Sequence, residues 1–178
     1  MKVAIQGVAG CFSAAAAAQV EPGAQIVYCP TFEDIFVSIE GGVADRGLVP
    51  VENTVAGEIA ATRELLARHR VRVAGETRLR IEQCLIGLPG ASLAGIRRVF
   101  SHPVALRQCG NFLAHHPQWR VEAYFDTAAS VQRIMQAARA DQAAIAGPTA
   151  AAAYGAEVLA RDIADVVDNF TRFVLIVA

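Results

Sequence analysis

Three clusters of polar side chains stand beside apolar runs, and each has the residue types to bind or protonate an anion. Asn169-Phe170-Thr171-Arg172-Phe173 interrupts the start of an apolar, β-branched run ending at Val177. A guanidinium such as that of Arg172 can grip a carboxylate through two parallel hydrogen bonds. A hydroxyl such as that of Thr171 can donate one hydrogen bond but is too weak an acid to release its proton near neutrality. Glu52-Asn53-Thr54 follows a second apolar run, and Ser101-His102-Pro103 a third. A fourth segment, Gly7 to Ser13, lies between an apolar run and an alanine-rich one. Free backbone N–H groups at the start of a helix there would suit an anion. It lacks the GxGxxG pattern because Ile5 stands where the first glycine is required, so dinucleotide binding is not indicated.

These clusters must be positioned by strands and helices in alternation. The pattern predicts strands over 2–5, 25–28 and 47–51, with Ser13 capping a helix over 14–19 and Thr31 capping one over 32–40. An amphipathic helix is expected over 58–69, a strand opening at 71 and a longer strand-like stretch over 78–88. Strands over 98–100, 120–125 and 143–146 then alternate with helices over 104–115, 128–140 and 149–154. Alternation of this kind predicts an α/β fold with parallel sheets. Two βαβ series suggest two lobes around a cleft: residues 1–76 plus 168–178 in the first, 77–167 in the second. Chemistry is expected where strands end, as in other open α/β sheets. Local roles compete with it: Asn53 or Thr54 can cap a helix, and Ser101 can cap the helix that Pro103 opens.

The chain has 178 residues, 16 Lys and Arg, 17 Asp and Glu, and a formal charge of −1. No global basic field points to nucleic acid or an anionic membrane, so an anionic ligand must be caught locally. Cys11, Cys29, Cys84 and Cys109 are scattered, with no Cys-x-x-Cys pair and no histidine at zinc-ligand spacing; no metal site is indicated. Val8-Ala9-Gly10-Cys11 imitates a lipoprotein box, but the stretch before it contains Gln6 and Gly7 and is too short for a secretory core. A cytoplasmic location is the expectation.

Taken in order, the segments resemble the prephenate dehydratase family. The likeness runs from Gly7-x-x-Gly10-x-Phe12-Ser13 through Glu52-Asn53-Thr54 and Ser101-His102-Pro103-x-Ala105-Leu106-x-Gln108-Cys109. It continues through Thr127-Ala128 and Ala143-Ala144-Ile145-Ala146 to Tyr154-Gly155 and Asn169-x-Thr171-Arg172-Phe173. The resemblance implies two α/β lobes like those of type II periplasmic binding proteins, a homodimer and no cofactor. It implies conversion of prephenate to phenylpyruvate with loss of CO2 and water, for phenylalanine synthesis. Thr171 is then the essential residue, donating a hydrogen bond to the departing oxygen or relaying a proton. Arg172, Asn53, Thr54, Ser101, Gln108, Thr127, Asn169 and Phe173 would line the substrate, and the backbone of Cys11, Phe12 and Ser13 would form an anion pocket.

Glu52, beside a dianion in a dry cleft, would have a raised pKa and serve as proton source. Alternation along a regular strand turns Arg172 away from Thr171 and Phe173; contact with the substrate relies on irregularity at the strand end.

Val8, Cys11 and Ala14 replace the family's usual Pro, Thr and frequent Glu, and Thr54 its usual Ser. Many relatives continue into an ACT domain that senses phenylalanine; the chain given stops at Ala178, so feedback of that kind is not expected. Arogenate dehydratase is a close alternative with the same chemistry. A non-catalytic small-anion binding protein is the other alternative, which Thr171-Arg172-Phe173 disfavours.

Overall fold

A computed structural model describes all residues, 1–178. In chain order the elements are β1 (Lys2–Gln6), α1 (Phe12–Val20), β2 (Gln25–Cys29), α2 (Phe32–Glu40), β3 (Arg46–Asn53), β4 (Gly57–Glu58), α3 (Ala60–Arg68) and β5 (Arg72–Arg80). After them come β6 (Cys84–Gly87), β7 (Arg98–Ser101), α4 (Pro103–Gln108), α5 (Gly110–Ala114), β8 (Arg120–Ala123), α6 (Thr127–Ala137), β9 (Gln142–Ala146), α7 (Pro148–Tyr154), β10 (Glu157–Ala160) and β11 (Phe170–Val177).

The chain forms two compact α/β units. The first contains Met1–Val8, Phe12–Ile81 and Asp168–Ala178; the second contains Ala9–Cys11 and Glu82–Val167. The break expected after residue 76 falls inside β5, which stays paired with β11 as far as Arg80. The long strand expected over 78–88 is two strands, because residues 81–83 leave the ladder between β5 and β6.

In the first unit the strand order is β2-β1-β3-β11-β5, with β4 hairpinned onto β3. β1 runs parallel to β2 and β3, as βαβ connections require. β11 is antiparallel to both β3 and β5, so the sheet is mixed rather than parallel. The reason lies where β11 enters: the Thr54 N–H donates to the Phe170 carbonyl at 2.9 Å, fastening its start beside the end of β3. One face of this sheet is packed by Ile35, Phe36, Ile39, Val49, Leu65, Val174 and Ile176. Full burial of such side chains contributes about 1.5–3 kcal/mol each. Helix α2 begins with a complete capping box, Thr31 Oγ1 accepting from Asp34 N while the Asp34 carboxylate accepts from Thr31 N.

The second unit orders its strands β10-β6-β9-β7-β8. β7 is parallel to β8 and β9, whereas β6 is antiparallel to β9 and β10. Leu85, Ile96, Val99, Trp119 and Ile145 centre its core. The single helix expected over 104–115 is broken at Cys109, whose φ and ψ of −111° and 24° are not helical. β10 was outside the expected pattern altogether. The cap of α4 is His102, not Ser101: His102 Nδ1 accepts from Val104 N at 3.2 Å. Helix α1 starts at Phe12, which places Ser13 inside it rather than at its cap.

Candidate active site

Thr171 lies in the first turn of ladder between β11 and β3, opposite Asn53. Both side chains are buried, each residue 8% exposed. Asn53 Nδ2 donates to Thr171 Oγ1 at 2.9 Å and to Asn169 Oδ1 at 2.7 Å, with the Phe170 carbonyl at 3.2 Å. Asn53 Oδ1 accepts from Val55 N at 3.0 Å and Ala56 N at 2.8 Å. That Asx turn settles which end of the amide is nitrogen, because a flipped amide would set Nδ2 against two backbone donors. Asn53 is therefore a turn residue rather than a helix cap; the residue before α3 is Ile59, which makes no side-chain cap.

A hydroxyl that accepts from an amide nitrogen keeps its own proton for another acceptor. Within the chain Thr171 Oγ1 has the Asn53 bond and no acceptor for that proton. The arrangement thus presents Thr171 as a hydrogen-bond donor. Thr54 braces the same segment, its Oγ1 accepting from Phe170 N at 2.9 Å and donating to the Asp168 carbonyl at 3.2 Å.

Alternation separates Arg172 from this set. Arg172 pairs with Glu52 and Arg78 in register, Thr171 with Asn53 and Leu79. Arg172 therefore shares a face with Val174, which packs in the core beside α2 and α3, and Thr171 shares the other with Phe173. Strand irregularity does occur, as a register shift between Arg172 and Phe173. The extra residue lies on β3, at Val51, so β11 itself keeps its alternation at Thr171 and Arg172.

Arg172 Nε reaches Glu52 Oε2 at 3.3 Å and Nη1 reaches Glu76 Oε2 at 3.4 Å. Its side chain is 40% exposed, and those of Glu52 and Glu76 more so. Exposed pairs at such distances are worth about 0–1 kcal/mol. Arg172 and Glu52 line a cavity of about 450 Å³ with Val51, Glu58, Arg63, Leu66 and Val174. Glu52 is exposed, ion-paired with Arg172 and on the opposite face of the sheet from Thr171.

In the second unit Ser101 and Gln108, picked from sequence, have structural partners. Ser101 Oγ, fully buried, donates to the Ile145 carbonyl at 2.6 Å. Gln108 Oε1 accepts from Gln83 Nε2 at 3.2 Å. Thr127 is the first residue of α6, whose cap is Asp126. In the glycine turn Gly7 and Gly10 have φ of +123° and +79°, conformations glycine adopts without a Cβ penalty. A Cβ at Gly10 would also meet the Ala150 Cα at 2.6 Å. Cys11 is buried, Phe12 and Ser13 half-buried.

The prephenate dehydratase family matches residues 3–178. The chain belongs to this family. It is 40% identical over 177 residues to arogenate dehydratase 5 of Arabidopsis thaliana, covering 99% of this chain and 42% of the plant protein. It is similar in structure to the prephenate dehydratase of Arthrobacter aurescens solved with L-Phe, with TM-score 0.90 and 33% identity over 99% of this chain and 60% of that one. It is also similar to GqqA, described as a novel type of quorum quenching acylase, with TM-score 0.91 and 32% identity over 99% of this chain and 64% of the other. The chain thus spans less than two thirds of each of these relatives.

Within the family motif Asn169-x-Thr171-Arg172-Phe173, the structure brings Asn169 and Thr171 together through Asn53 and turns Arg172 away. That triad of side chains is assembled from positions 116 and 118 residues apart, a pairing no local spacing announces. Burial pushes the Cys84 and Cys109 thiols up to about 12, leaving them neutral. No group of three His, Cys, Asp or Glu side chains is placed to hold a metal ion. No helix is long and apolar enough to cross a membrane.

Proposed function

We propose that the chain is a carbon–oxygen lyase that converts prephenate to phenylpyruvate in phenylalanine synthesis. The carrying observation is the Asn53–Thr171 hydrogen bond, which makes the Thr171 hydroxyl a donor with its proton uncommitted. In the reaction the bond from the ring to its carboxylate breaks and CO2 leaves. The electron pair enters the ring, the ring C–O bond breaks, and the departing oxygen takes up one proton to leave as water. Aromatisation drives the step, so the protein's share is orientation and stabilisation of charge at the leaving oxygen. Thr171 donates a hydrogen bond to that oxygen as charge builds on it, with the proton that completes the water arriving from solvent. No cofactor enters this chemistry. A cytoplasmic location and a homodimer complete the proposal, on the family likeness.

Arogenate is the second reading, favoured by the 40% identity to the plant arogenate dehydratase. The test is product formation from prephenate and from arogenate by the purified chain and by Thr171→Ala, corrected for spontaneous acid-catalysed breakdown. A fall of about 100- to 1,000-fold in the variant is the loss expected for one donor to a developing oxyanion. Turnover of arogenate alone moves the assignment to that substrate. A folded wild-type chain inert on both substrates would indicate a small-anion binding protein.

A further inference from the structure

Asn169 is 1% exposed, and its two side-chain atoms have opposite fates. Oδ1 accepts from Asn53 Nδ2 at 2.7 Å, while Nδ2 is buried without a partner. A buried donor without an acceptor is costly, and native structures keep such groups rare. Flipping the amide would not cure it, because Nδ2 would then face Asn53 Nδ2, and that nitrogen is held in place by the two backbone bonds at Asn53 Oδ1. The fold tolerates an orphan donor and in return keeps an acceptor aimed at Asn53.

Asn53 Nδ2 carries two hydrogens and has three acceptors within reach, Asn169 Oδ1, Thr171 Oγ1 and the Phe170 carbonyl. With Asn169 Oδ1 holding one hydrogen at the shortest distance, the second is left for Thr171. Without Asn169 the amide plane is restrained only at Oδ1, and a small rotation of the Asn53 side chain about its terminal torsion moves the second hydrogen from Thr171 Oγ1 toward the Phe170 carbonyl.

Resting on the proposed role of Thr171, we propose that Asn169 is a positioning residue: through Asn53 it locks the Thr171 hydroxyl as a donor toward the leaving oxygen. Asn169 need not touch the substrate. It acts by removing the alternative in which the Thr171 proton turns inward. A staple that merely holds the start of β11 would be satisfied by the backbone bonds already there, from Thr54 N to the Phe170 carbonyl and from Ile81 N to the Asn169 carbonyl at 2.8 Å.

The test compares Asn169→Ala and Asn169→Asp in the full chain, with rates normalised to folded protein. Asp keeps an oxygen acceptor facing Asn53; Ala removes it. Asn169→Ala is expected to lower kcat by about 10- to 100-fold, the scale of a misplaced catalytic group, with KM changed less than about threefold; Asn169→Asp restores most of the loss. In a Thr171→Ala background the Asn169→Ala change is expected to cost almost nothing further, as coupled residues do. Independently of turnover, exchange of the Asn53 side-chain amide protons, followed by NMR, should quicken about tenfold or more in Asn169→Ala and not in Asn169→Asp. Unchanged exchange in Asn169→Ala overturns the proposal, as does a kcat loss equal in both variants. If exchange quickens as expected while the wild type turns over neither prephenate nor arogenate, the lock stands and the proposed reaction falls.

Discussion

The two faces of β11 differ more than their one-residue separation suggests. On one face Thr171 sits in a buried set of neutral amides and carbonyls, with short, well-directed hydrogen bonds. On the other Arg172 extends among exposed carboxylates at 3.3 and 3.4 Å, where solvent screens each pair. Buried neutral hydrogen bonds constrain direction, and exposed charges do not. A hydroxyl that must offer its proton along one line belongs to the first environment.

The sharpest way to break this contrast is to reverse the polarity of Asn53. In Asn53→Asp the carboxylate still accepts from Val55 N and Ala56 N, but it can no longer donate to Thr171 Oγ1. The Thr171 proton turns inward to the carboxylate, and Asn169 is free to flip and satisfy its orphan Nδ2. The expected outcome is kcat lower by about 100-fold with stability within about 1 kcal/mol of wild type, checked by steady-state rates and urea unfolding. A variant that lost stability and activity in proportion would show that the set matters as packing and not as a directed donor.

Arg172→Gln tests the other face. If the exposed ion pairs are all that Arg172 makes, stability changes by about 1 kcal/mol or less, and KM by less than about threefold, because the guanidinium points away from Thr171. A rise in KM of about 100-fold, as loss of a two-pronged carboxylate clamp would give, would return Arg172 to the substrate and refute the separation of the faces.

How far the site was legible before the fold follows from the kind of signal each residue carries. Local signals were readable: the cap of α2 by Thr31, the apolar run of β11, and the alternation that turns Arg172 away from Thr171. Signals that depend on pairing across the chain were not. Nothing in the βαβ rhythm reveals that β11 returns antiparallel between β3 and β5, nor that the irregular residue lies at Val51 and not on β11. Short elements also escaped, β10 because four residues after Gly155 carry too little period, and the break at Cys109 because a single non-helical residue leaves the apolar spacing intact. Asn53 read from sequence as a possible helix cap; its Asx turn and its hold on Thr171 emerge only when residues 118 apart in sequence meet. The motif singled out the Thr171 hydroxyl; only the tertiary fold showed which side chain holds it.

The smallest expected effect belongs to Glu52, and it is the most informative about the proton. A carboxyl acting as proton source would impose its own titration on the rate and lose it on conversion to Gln. Glu52 is instead exposed, paired with Arg172 and on the far face from Thr171, so it has no path to the leaving oxygen through this unit. Glu52→Gln should leave kcat within about twofold and the pH profile unshifted, with a stability change of no more than about 0.5 kcal/mol. Rates measured across a pH series, in parallel with wild type, check it. An acidic limb that disappears in the variant would mean that the carboxyl reaches the substrate after all, and the separation of the two faces would then fail at the point where it makes its strictest claim.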